Sequence, residues 1–95
     1  MIAVSVKFVG SFRGISGKDK LALKFGRPVS LTALVKKTVE QLPKLKSSLI
    51  DPESGEPRRN MLVLVNGREI SVLNGMETRV KDEDEVVLVP VVHGG

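Results

Sequence analysis

The sequence predicts an α+β fold in which one helix packs across a mixed sheet of four to five strands. Two segments near the start alternate apolar and polar residues with a period of two, one segment repeats apolar residues at helical spacing, and two runs rich in branched apolar residues follow it. At 95 residues the chain has the length of one small domain, with 41% hydrophobic and 27% charged residues, the balance of a folding soluble chain.

In "IAVSVKFV" (2–9), Val4, Val6 and Phe8 share one face and Ser5 and Lys7 the other, the pattern of a half-buried strand. "GSFRGISGK" (10–18) is punctuated by Gly10, Gly14 and Gly17 and reads as a turn-rich connection. "KLALKF" (20–25) then alternates again, with Leu21, Leu23 and Phe25 inward, so the two segments are expected to pair as a hairpin. Ser30 is an expected N-cap. Leu31, Leu34, Val35, Thr38 and Leu42 follow at helical spacing until Pro43, which cannot continue a helix.

The stretch "DPESGEPRRN" (51–60) is a loop by composition and delivers the chain to "MLVLV" (61–65), expected to be a buried central strand. Asn66-Gly67 is the favoured pair of a type I′ turn, which predicts a tight hairpin with "REI". A further turn is expected at Asn74-Gly75. An acidic turn, Asp82 to Glu85, feeds a last β-branched strand from about Glu85 to Pro90, and consecutive carboxylates there read as a solvated charge cluster. The first and last strands are joined by everything between them, so they are expected to lie side by side in parallel. Residues 1–90 then form the folded domain and 91–95 a flexible tail that reaches roughly 17 Å at about 3.3 Å per extended residue.

Composition excludes much chemistry. Without cysteine there is no disulfide, thiolate nucleophile or cysteine-ligated zinc, and a single histidine cannot build a metal site or a triad by itself. No phosphate loop and no dinucleotide fingerprint occurs, so no cofactor or metal is expected on this chain. The apolar runs fall well short of the roughly 20 residues that span a bilayer, and the start of the chain lacks an apolar signal core, which predicts a cytoplasmic protein. The net charge of +4 raises nucleic acid as a partner, but the basic residues are scattered and only three phenylalanines are available to stack on bases. A solvated basic surface with no direct nucleic-acid contact is the expectation.

The end of the chain, "HGG", carries the chemistry that remains. Glycine has no Cβ, so Gly94 and Gly95 can thread a channel too narrow for other residues and leave the terminal carboxylate open to attack on an activated phosphate. With no nucleotide site of its own, the chain is expected to be adenylated by another protein, as substrate or carrier and not as enzyme. The competing reading is a frayed end of small residues. His93 on a tail has no fixed geometry for acid–base work and is expected to serve as spacer or partner contact.

Taken together, "VSVKFVGSF" with "GK", the central "LVLVNG", the segment "VLNGMETRVKDEDEVVLVP" and the terminal "HGG" resemble the β-grasp sulfur carriers and ubiquitin-like modifiers over nearly the whole chain. That family includes the small subunit of molybdopterin synthase, the thiamine-pathway sulfur carrier and the ubiquitin-related modifier. The resemblance implies a ubiquitin-like β-grasp fold with a protruding diglycine tail. It implies adenylation of the Gly95 carboxylate by a ubiquitin-activating-like enzyme that uses ATP, then conversion to a thiocarboxylate with a sulfur donor, or linkage to a protein lysine. The sulfur acceptor would be a tRNA-thiolating system or the large subunit of molybdopterin synthase. "KFVG" with "GK" and "HGG" resemble the ubiquitin-related modifier, and "NGMETRVKDEDEVVLVP" the molybdopterin branch. Val91 stands where that branch commonly has a second proline, His93 where it has a small residue, and Glu83 where many members have glycine.

Strand alternation supplies the expected partner contacts. If Phe8, Val86 and Leu88 point toward the helix, then Val9, Val87 and Val89 point away, forming an apolar patch beside the tail residues Val91, Val92 and His93. Either Leu62 and Leu64 or Val63 and Val65 extend that patch; periodicity alone does not choose. A non-covalent adaptor that uses this face with an idle tail, and a small basic nucleic-acid-binding domain, are the alternative functions.

Overall fold

In the computed structural model, residues 1–91 are described. β1 (Ile2–Phe8) pairs antiparallel with β2 (Lys20–Phe25), and Val4, Val6, Phe8 and Leu23 are buried on the inner face as the alternation requires. The segment between them is not a turn. It forms α1 (Gly10–Ser16), because Phe12 inserts into the core at 5% exposure and organises a helix despite two glycines. Gly17 ends it in the left-handed region at φ 71°, its N–H donating to the Arg13 carbonyl.

After the short β3 (Val29–Ser30) comes α2 (Leu31–Gln41). The Ser30 hydroxyl accepts from the Ala33 N–H at 3.2 Å, Pro43 lies just past the end, and Leu31, Leu34, Val35 and Thr38 form the buried stripe. The stretch after Pro43 adds a 3-10 turn (Pro43–Leu45) and α3 (Lys46–Leu49), whose Leu45 and Leu49 close one end of the core.

β4 (Met61–Val65) joins β5 (Arg68–Glu69) through Asn66 and Gly67, with φ of 50° and 83°, the pair of positive angles that a type I′ turn demands. β5 ends at once in a 3-10 turn (Ile70–Val72) that buries Ile70. β6 (Arg79–Val80) pairs with β3 in a separate two-stranded ribbon, and β7 (Glu85–Pro90) completes the main sheet. The strand order is β2-β1-β7-β4-β5, with β1 and β7 parallel through Ser5↔Glu85, Val6↔Val86, Lys7↔Val87 and Phe8↔Leu88. The last strand therefore lies in the middle of the sheet. β4 is an interior strand, paired with β7 and β5, but it is buried on one face and not both: Val63 and Val65 are buried, whereas Leu62 is 38% exposed. The helices pack on the inner face, and among the described residues no element covers the outer face.

Candidate functional site at the open sheet face and the tail exit

Register decides what the open face presents. β4 and β7 pair antiparallel through Leu62↔Val89, Val63↔Leu88 and Leu64↔Val87, and residues directly opposite share a face. Val86 and Leu88 are fully buried, which puts Val87 and Val89 on the outer side together with Leu62 and Leu64. The four make one apolar patch. The choice left open by periodicity falls to the leucines, because Val63 and Val65 face the helices. Val9 does not belong to this ladder: it stands one residue past β1 as the half-buried N-cap of α1, since the chain turns into the helix there.

Beyond the patch lies the point where the tail leaves. Gly10, at φ 56°, brings its backbone against the ring of Pro90, so close that a Cβ at this position would stand 3.1 Å from Pro90 Cγ. Only glycine meets both demands without strain. Val91 follows and is 45% exposed. The expected site residues Val92, His93, Gly94 and Gly95 lie outside the described residues.

Across the same face runs a row of residues set by the ladder, one from each strand: Lys20, Lys7, Val87, Leu64 and Glu69. At its far edge the Glu69 carboxylate accepts from the Ser71 hydroxyl and, at 3.0 Å, from the Ser71 N–H. Those bonds, the hydroxyl's first, hold Glu69 below the ordinary carboxyl value of 4.5.

In the acidic turn Asp82 and Glu83 are exposed, as a solvated cluster requires, whereas Asp84 is not. Asp82 accepts from the Ala3 N–H at 2.8 Å, and Asp84, 9% exposed, accepts from the Lys81 N–H at 2.7 Å and from Asn66 Nδ2 at 2.9 Å. Asn66 Oδ1 in turn accepts from the Glu85 N–H at 2.9 Å, tying the β4–β5 hairpin to the start of β7. Between these acids Glu83 takes φ 69°, the conformation that glycine adopts most easily, and donates its N–H to Ala3. Among the described residues no three acids or histidines converge as a metal site, and no helix is long and apolar enough to cross a membrane.

Known proteins resemble this chain in sequence and in fold. The ThiS family model matches residues 6–95. Small archaeal modifier protein 3 of Haloferax volcanii is 29% identical over 92 residues, covering 97% of this chain and 98% of that protein. Among solved structures, small archaeal modifier protein 1 of Methanosarcina acetivorans superposes with a TM-score of 0.84 at 29% identity, covering 100% of this chain and 98% of the other. Urm1 of Trypanosoma brucei gives 0.77 at 27%, covering 98% and 95%.

Proposed function

The chain belongs to the ThiS family of β-grasp sulfur carriers and ubiquitin-like modifiers, and from that premise we propose that its own chemistry takes place at the Gly95 carboxylate. A ubiquitin-activating-like enzyme supplies the ATP site and joins the carboxylate to AMP, with pyrophosphate leaving. Sulfide delivered by the partner machinery then attacks the acyl carbon, AMP leaves and a thiocarboxylate remains, or a protein lysine amine attacks with AMP leaving and an isopeptide remains. This chain contributes recognition and reach, as substrate and not as catalyst, and acts in the cytoplasm. One observation carries the reading: the last strand lies mid-sheet and leads past an uncovered apolar patch of Leu62, Leu64, Val87 and Val89 before the chain continues to Gly-Gly. A partner that grips the patch is thereby placed beside Val91, where the tail begins.

Similarity to archaeal modifiers and to Urm1 supports tRNA thiolation and protein conjugation as the destination of the activated tail. Molybdopterin synthesis is the second reading, and the turn favours keeping it. Glu83 adopts a left-handed conformation, which glycine takes most easily, so this turn accommodates a residue other than glycine at that position.

Incubation with ATP and the cognate activating enzyme, then with a sulfide donor, tests the proposal by intact mass. An adenylate followed by exchange of one oxygen for sulfur is expected. An unchanged mass with an enzyme active on another carrier refutes it.

A further inference from the structure

The cross-strand ladder places Lys7 directly opposite Lys20 on the outer face, where like charges repel and destabilise the pairing. Among the described residues neither lysine forms an ion pair. Among the described residues the ion pairs within 4 Å are Arg13–Asp19 and Lys36–Glu56, so the carboxylate of Asp19, next to Lys20 in sequence, is committed to Arg13. Glu85, on the same face, lies opposite Ser5 and forms no ion pair with Lys7. Lys24 adds a third exposed ammonium on the same side of β2. The pair adjoins the apolar patch without a gap, because Lys7 lies beside Val87 and Val87 beside Leu64.

We propose that Lys7 and Lys20 form the charged half of the docking surface, and that the activating enzyme meets it with a surface carrying carboxylates beside an apolar centre. The proposal rests on the functional reading above for the identity of the partner. A protein fits this face better than RNA does: Phe8 and Phe12 are buried in the core, Phe25 lies on the inner side of β2, and among the described residues no aromatic ring faces outward to stack on a base. Opposed lysines then raise the rate and selectivity of encounter more than they add to the lifetime of the complex.

The repulsion gives the idea a test with two readouts of opposite sign. Lys7→Glu turns a like-charge pair into an opposite-charge one, so the melting temperature of the free chain should rise by about 2–5 °C. Its affinity for the full-length activating enzyme, measured by calorimetry without ATP, should fall. The double variant Lys7→Glu/Lys20→Glu should bind about tenfold more weakly at 50 mM salt and only about twofold more weakly at 500 mM. Lys44→Glu, in the 3-10 turn on the helix side, makes the same charge change as Lys7→Glu alone; it is the control for that variant and should bind normally.

The proposal is overturned if the double variant binds as the parent does, or if Lys44→Glu weakens binding equally and only net charge matters. It is also overturned if the parent chain does not bind, or if the loss appears in binding to total tRNA and not to the enzyme. Binding that responds to Lys7 and Lys20 while Gly95 is never adenylated supports the surface and removes the functional reading. Normal adenylation with binding indifferent to both lysines does the reverse.

Discussion

Replacing Asp84 by alanine cuts the tie between two turns that lie 18 residues apart in sequence. Its carboxylate is nearly buried and accepts one short bond from the Lys81 N–H and one from the Asn66 side chain, while Asn66 holds the Glu85 N–H. Bonds to an ionised acceptor each contribute about 1.5–3 kcal/mol, and donors left behind in a partly buried turn recover some of that from water. A net loss of about 2–3 kcal/mol follows for Asp84→Ala. For a chain of this size that corresponds to a melting temperature lowered by about 10–20 °C. Asn66→Gly keeps the left-handed backbone of the hairpin and removes only the side-chain bonds, at a cost of about 1 kcal/mol. The double variant should lose less than the sum, with a coupling of about 0.5–1.5 kcal/mol. Urea unfolding followed by circular dichroism measures all three. If Asp84→Ala costs under about 0.5 kcal/mol with an unchanged urea slope, Asp84 behaves as one more solvated acid of the turn and the reasoning fails.

Two glycines of α1 should respond oppositely to alanine. Gly10→Ala meets both the positive φ and the Pro90 ring and should cost about 1–2 kcal/mol, whereas Gly14→Ala enters open space in the helix and should stabilise by about 0.5–1 kcal/mol, both read from thermal melts. Glu83→Gly relieves a left-handed residue while adding freedom to the unfolded chain, for a net gain of about 0.5 kcal/mol; a measured loss contradicts the strain argument. Because Glu69 is held below its ordinary 4.5, its contribution is present above that value and disappears as pH falls through the folded-state value. Ser71→Ala should bring the Glu69 titration, followed by NMR, back toward 4.5.

Residues whose placement depends on local pattern were legible in the sequence. Alternation gave Val4, Val6, Phe8 and Leu23 their inner face, Ser30 and Pro43 bounded α2, and Asn66-Gly67 announced its turn. The parallel pairing of β1 with β7 followed from connection rules. What escaped depends on partners far away in sequence. Helix α1 exists because Phe12 reaches the core, a tertiary gain that outweighs the poor helix propensity of its glycines. Asp84 looks like any other surface acid until Asn66 is brought beside it. The choice of Leu62 and Leu64 over Val63 and Val65 for the patch, like the meeting of Lys7 with Lys20, is a matter of register, which periodicity leaves undetermined by one residue.

The account stands or falls on what becomes of one carboxyl group inside the cell. Recovering the chain from its source cells and weighing its C-terminal peptide should give a population in which sulfur replaces one oxygen of Gly95, or a branched peptide joining Gly95 to a lysine. A terminal peptide that always carries a free, unmodified carboxylate, in cells whose thiolation and conjugation pathways are running, contradicts it.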